Sequence, residues 1–317
     1  MTFSLSKGTS NTIKVVAAIM VMLHHYAQYI CVNNISDSIF YRALSAQAGF
    51  LGVAIFFFLS GFGLMESEQR SHLECIDFFK RRFLKVYLPV LIVSILWMII
   101  TPFILNDSPF RGIEIEMVVG GGKTLVISNI FINFGDGVLW FIKVLVFLYF
   151  LFFIYSYIRT KNKIGSILFL VLATIGSTIS ATYILADYTS ISVPFFFLGV
   201  LLSINKKNQG VILAISLLIV ITIVEFASYE NQALVKHSAI NAFALALLIL
   251  ACSIRKIELR IPSVITVLSF DIYLIHNKVL MAMKANTEIV ELLPFIILTI
   301  IATIGFYLFR TKLLRIK

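Results

Sequence analysis

Lys14 and His25 are the first residues whose types and spacing suggest chemistry. Both fall in a long apolar run near residues 12–31. An ionisable side chain is costly inside such a run, and it marks a functional position by default. The two lie eleven residues apart. At about 100° per residue that separation closes to within about 20° of three full helical turns. Both side chains therefore leave one helix face, about 16 Å apart along the axis. His24 points about 100° away from that face. A lone histidine in a helix is usually a structural hydrogen-bonder. The face shared with Lys14 is what makes His25 a candidate for work in a cavity.

A second cluster lies in CIDFFKRRFLKVYLP, where Lys80, Arg81, Arg82 and Lys85 fall within six positions. Arg82 and Lys85, three apart, share a face if the segment is α-helical. Its plain meaning is membrane anchoring and orientation. The sharper one is a phosphate site, because a guanidinium presents a planar fork of donors to phosphate oxygens. Pro89 follows, cheap at a helix start and kinking further in. Trp140, in GDGVLWFIKVLVFLY, is ordinary for a membrane–water interface and also offers a stacking surface for a sugar ring. Lys143 can snorkel outward. In SFDIYLIHNKVL, Asp271 and Lys278 share a helix face, whereas His276 is about 140° round from Asp271. The glycines of GVAIFFFLSGFG (Gly52, Gly61 and Gly63, beside Ser60) are explained by close helix packing.

These residues need elements to hold them, and composition restricts what those are. The 317 residues are 60% hydrophobic and only 13% charged, with mean hydropathy +0.98. A soluble domain carries about twice that charged fraction. Apolar runs fall near 12–31, 47–65, 84–105, 138–158, 164–186, 190–204, 210–228, 238–254, 262–283 and 290–309. Each approaches the roughly 20 residues a bilayer requires, and runs six and eight are short. None shows the two-residue alternation of a barrel strand. The expectation is an all-α polytopic protein of about ten transmembrane helices, forming one domain over residues 1–317.

The net charge is +10. With the N-terminal side taken as inside, most basic residues collect there: Lys7, Arg70, the 80–85 cluster, Arg159, Lys161, Lys163, Lys206, Lys207, Arg255, Lys256, Arg260 and Arg310 to Lys317. An even number of spans and cytoplasmic termini follow from the positive-inside rule. The same arrangement explains the charge without nucleic acid. The longest loop, 106–137, then faces out, and Gly120–Gly121–Gly122 within it is a turn, since it has no Walker pattern. Cys31, Cys75 and Cys252 are scattered, with no metal-ligand spacing and no disulfide framework. The first apolar run lacks a cleavage site and is expected to be a span. No appended soluble domain is expected.

In order along nearly the whole chain, the motifs resemble the acyltransferase family 3 membrane proteins. The opening Arg, ten residues, His is matched from Lys14 to His25, with Lys for Arg. The second-span signature is matched by GVAIFFFLSGF, and the Arg-x-x-Arg before a proline by Arg82-x-x-Lys85, again with one Lys. Trp140–Phe141, FFFLGV and Tyr273–Leu274–Ile275–His276 match the later elements. The resemblance implies transfer of an acyl group, usually acetyl, from cytoplasmic acyl-CoA to a hydroxyl. It implies that His25 is essential, as general base or acyl relay, with Lys14 and His276 as further catalytic residues. It implies that Arg82, Lys85, Arg81 and Lys80 hold the CoA phosphates. Trp140 and Asp271 are the expected substrate-binding residues, and no metal is expected. The lysines keep the charge of the family's arginines without the fork.

On that resemblance the acceptor is a bacterial surface glycan such as O-antigen, capsule or exopolysaccharide, lipid-linked or exported. The protein is then a multi-pass protein of the cytoplasmic membrane, surrounded by lipid. It completes the transfer itself, alone or as a homo-oligomer, or hands over to a separate extracytoplasmic partner. The contrasting expectation is a non-catalytic transporter or flippase, with polar residues of spans one and nine lining its path. A third is acylation of a small molecule or of peptidoglycan.

Overall fold

The computed structural model describes residues 2–70, 75–105, 140–183, 192–228, 232–254, 257–259 and 261–313. The expected outer loop with Gly120–Gly122 lies outside the described residues, as do Arg255, Lys256, Arg260, Arg315, Lys317 and the side chains of Cys75 and Lys143. The described residues form helices joined by short turns and coil, and their β-structure is one isolated bridge between Thr2 and Lys207. We label the helices α1 (Lys7–Val32), α2 (Ile39–Arg70), α3 (75–105), α4 (Trp140–Lys161), α5 (Lys163–Tyr183), α6 (Pro194–Ile204), α7 (Asn208–Ser228), α8 (Gln232–Ile254), α9 (Ser263–Asn286) and α10 (Leu292–Leu308).

Among the described residues, seven helices are long and apolar enough to cross a membrane: α1, α2, α3, α4, α8, α9 and α10. The apolar stretches of α5, α6 and α7 are shorter. Thus the all-helical polytopic fold holds, and seven of the ten expected spans are matched among the described residues. Run six is short, at 11 residues in α6. Run eight is longer than expected, because α8 extends it to 23 residues.

The chain divides into two compact units. One comprises residues 1–73 and 147–266, the other 74–146 and 267–317. In the first, the signature glycines set the packing. A methyl group on Gly61 of α2 would strike the main-chain carbonyl of Phe196 in α6. A methyl group on Gly199 of α6 would strike the carbonyl of Phe58 in α2. The two helices therefore touch backbone to backbone, as small residues allow in lipid. Gly52 admits the Ala17 carbonyl of α1, whereas Gly63 faces nothing within 4 Å. Around this seam Phe3, Ile13, Phe58, Phe62, Phe195, Leu198, Leu202, Val211, Leu245 and Ile249 form the core.

Helix ends bearing basic residues meet at one end of this unit. Phe3 N–H donates to the Lys206 carbonyl at 2.7 Å and Ser4 N–H to the Cys252 carbonyl at 3.1 Å. The Thr9 hydroxyl donates to the Ile257 carbonyl at 2.7 Å. Glu66 pairs with Lys206 at 2.6 Å and accepts from the Ser203 hydroxyl at 2.7 Å. Glu68 accepts from the Ser156 hydroxyl at 2.7 Å.

In the second unit α3 is one continuous helix through the basic cluster. Phe83–Tyr87 forms a π turn, and the following residue, Leu88, donates its N–H to the Phe83 carbonyl. Pro89 lies just beyond, where its missing N–H would break a regular ladder. A π turn re-phases the helix at such a point. The even α-helical spacing assumed for Arg82 and Lys85 therefore does not hold, because the wider turn begins between them.

Candidate active site

The two histidines of α1 are set apart by their surroundings. His24 is buried in the notch left by Gly49, where a methyl group would overlap its ring. Its Nδ1 lies 3.0 Å from the Leu44 carbonyl oxygen. A carbonyl only accepts, so Nδ1–H donates. His25 is half-buried, and its Nδ1 lies 3.1 Å from Gln28 Oε1 on the next turn. With Nδ1–H donating, the lone pair of the neutral ring is on Nε2. The rings of His24 and His25 stand edge to face, 5.1 Å apart. Lys14 is half-buried on the same helix, about 16 Å nearer the basic end. From Lys7 to His25 the helix rises about 27 Å, close to the roughly 30 Å of a hydrocarbon core.

Next to these histidines is a polar group with no sequence motif of its own. His237 of α8 stacks on Phe50 of α2 at 4.8 Å, with an interplanar angle of 27°. Phe50 also meets His24 edge to face, with ring centroids 5.8 Å apart. His237 Nδ1 is 2.7 Å from Gln47 Oε1. Gln47 Nε2 donates to the His237 carbonyl at 3.2 Å and to Asn241 Oδ1 at 2.8 Å. Gln47 lies in the π turn Leu44–Ala48 of α2, and π turns are frequent at functional sites. The one sequence signal was a histidine beside Lys236 at the outer end of a span. Its partner Gln47, 190 residues away, carries none.

The remaining candidates lie in the second unit. Lys80, Arg81 and Lys85 are exposed and Arg82 is half-buried. The Arg82 guanidinium sits over the Phe78 ring at 5.6 Å, which limits its freedom. Trp140 is half-buried. Its neighbour Phe141 meets Tyr273 edge to face at 5.5 Å, so the two late motifs pack together. His276 is fully buried, with Nδ1 3.1 Å from the Ile272 carbonyl. Asp271, also fully buried, is held by Arg310 of the π turn after α10: Nε donates to both carboxylate oxygens at 3.1 and 3.2 Å, and Nη2 to Oδ2 at 2.8 Å. Arg310 read from sequence only as an orientation charge. Lys278, which shares a face with Asp271 by spacing, instead lies over Trp97 at 5.6 Å. Among the described residues no His, Cys, Asp and Glu group could hold a metal.

The fold and these sites define a polytopic helical membrane protein with oriented histidines remote from a basic helix end. The chain belongs to the acyltransferase family 3: that family's model, described as an acyltransferase domain, matches residues 9–311. No curated protein and no solved structure matches. The family makes the protein an acyltransferase, and its apolar helices make it a multi-pass membrane protein.

Proposed function

We propose that this protein transfers an acetyl group from cytoplasmic acyl-CoA to a hydroxyl of a bacterial surface glycan, across the cytoplasmic membrane. The observation that carries this reading is His25. Its Nδ1 is held by the Gln28 side chain at 3.1 Å, and it stands about 27 Å along α1 from the basic end. A basic end suits the anionic CoA inside, and the far end suits an exported or lipid-linked acceptor.

In the overall step the acceptor oxygen loses its proton, attacks the thioester carbonyl and forms the ester bond. The carbon–sulfur bond breaks, and the thiolate leaves as CoA with a proton. His25 Nε2 serves as the base that takes the hydroxyl proton, or carries the acyl group itself. Arg82, Lys85, Arg81 and Lys80 contact the CoA phosphates, Arg82 with a planar fork. Lys14 places a positive charge along the same helix face, and His276 is a second imidazole for proton transfer. Trp140 offers a ring for sugar stacking. Asp271 is engaged by Arg310, so a direct contact of its carboxylate with acceptor competes with that pair.

The test is CoA release by purified protein in proteoliposomes supplied with acetyl-CoA and deacetylated surface glycan. His25→Ala should lower turnover at least 100-fold, the low end for loss of a general base, while membrane insertion persists. Acetylated glycan made by that variant at the normal rate would overturn the role of His25. Movement of substrate without CoA release would identify a transporter instead.

A further inference from the structure

The polar group around Gln47 has a polarity that one atom decides. Gln47 Nε2 lies 3.2 Å from the main-chain carbonyl oxygen of His237. That oxygen has no hydrogen to give, so the end of the amide facing it must be the NH2 group. Gln47 Oε1 is thereby left for His237 Nδ1, 2.7 Å away. Nδ1 must carry the hydrogen, and in the neutral ring Nε2 is then an acceptor. The second hydrogen of the Gln47 amide goes to Asn241, 2.8 Å away. Asn241 must meet it with Oδ1, which turns its own NH2 elsewhere. That Nδ2 has no hydrogen-bond partner among the described residues, and Asn241 is fully buried. A buried donor with no acceptor is costly and calls for an explanation.

His237 and Asn241 are four apart in α8, so their side chains leave one face of the helix. The His237 ring is clamped by the Phe50 stack at 4.8 Å yet only half-buried. The same face of α8 thus carries an acceptor, Nε2, and a buried donor, Nδ2. A carboxylate or phosphate group can only accept, and an ammonium group can only donate. A hydroxyl does both with one oxygen.

We propose that His237 and Asn241 form a binding subsite for a hydroxyl of the acceptor, with Gln47 holding both in register. The hydroxyl donates to His237 Nε2 and accepts from Asn241 Nδ2. It is a recognition contact, separate from the reacting hydroxyl at His25. The subsite rests on the acyl-transfer reading and adds to it the chemical class that the outer end of α8 selects: a polyhydroxylated acceptor, held by a second hydroxyl.

The test uses the full-length protein in proteoliposomes with acetyl-CoA and alkali-deacetylated surface glycan. His237→Asn retains an amide near Nδ1 and removes the acceptor at Nε2. His237→Gln restores a polar atom at the Nε2 position. His237→Asn should raise the half-saturating glycan concentration about tenfold, the loss expected for one good hydrogen bond. Its maximal rate and half-saturating acetyl-CoA concentration should stay within twofold, and His237→Gln, which keeps an acceptor at the Nε2 position while losing the Nδ1–H bond to Gln47, should recover part of the lost glycan affinity. An equal loss in both variants, a fall confined to the maximal rate, or an unchanged glycan requirement in His237→Asn would overturn the subsite. If the subsite fails while His25→Ala abolishes CoA release, acyl transfer stands without it. If the wild type releases no more CoA than His25→Ala, the acyl-transfer reading and the subsite fall together.

Discussion

Asp271 and Arg310, 39 positions apart in sequence, form a buried, forked ion pair, with Nη2 2.8 Å from Oδ2. The pair closes α9 against the π turn that follows α10. Burying either charge alone would be expensive, and three hydrogen bonds offset that cost together. Arg310→Leu leaves a carboxylate stranded and should cost about 3–5 kcal/mol. Asp271→Leu combined with Arg310→Leu should recover much of that loss, because no charge is then left unpaired. Thermal unfolding in detergent measures both. Equal destabilisation of the single and double variants would show that the charges themselves do not hold the helices.

Gly61 and Gly199 test the seam between α2 and α6. Either one changed to Ala places a methyl group on the facing helix's backbone carbonyl, so the helices must move apart. Overpacking of this kind costs about 1–3 kcal/mol. Gly63→Ala should stay within about 0.5 kcal/mol, since nothing lies within 4 Å of the added carbon. Melting temperatures of the three variants make the comparison within one motif.

Gln28 holds His25 Nδ1 at 3.1 Å. Gln28→Leu should lower the maximal rate while leaving the half-saturating concentrations near wild type, because the ring loses its orientation and keeps its chemistry. The expected loss is about tenfold, the worth of one hydrogen bond, and well short of that for His25→Ala. Steady-state CoA release measures it. A loss as large as that of His25→Ala would mean that Gln28 does more than orient the ring.

The basic turns of α3 should differ among themselves. Arg82 is half-buried and lies over Phe78, whereas Lys80, Arg81 and Lys85 are exposed. Exposed charges are worth about 0–1 kcal/mol each. Arg82→Gln should therefore raise the half-saturating acetyl-CoA concentration about tenfold, as expected for a lost charge-assisted fork. Lys85→Gln should raise it about threefold and lose that effect at high salt. Dephospho-CoA thioesters, which lack one phosphate, should narrow the difference. Identical behaviour of Arg82→Gln and wild type would remove Arg82 from the phosphate site.

His25, Lys14 and the cluster from Lys80 to Lys85 could be picked out as candidates from the sequence because helical periodicity and the cost of charge in lipid act locally. The same local rules made the chain all-helical and membrane-spanning, and the ordered motifs gave its family. What they could not supply was contact between distant segments. Gln47 and His237 are 190 residues apart, and a glutamine at a helix start looks ordinary until its amide meets a particular carbonyl. Arg310 looked like one more inward charge until folding brought it to Asp271. Seven of the expected spans are matched among the described residues, and their ends differ from the apolar runs, which show where lipid is tolerated, because helix ends are decided by packing, π turns and caps.

The sequence by itself determined that the chain is apolar, helical, basic at alternate ends and furnished with a histidine on the lysine-bearing face of its first helix. Each of those depends only on residues within a few turns of one another. Only the tertiary structure decided which nitrogen of His237 carries a hydrogen, which carboxylate Arg310 neutralises and which glycines meet a neighbouring backbone. Those are properties of pairs of surfaces, and a hydrogen bond or a backbone contact has no address in sequence until both surfaces are in place.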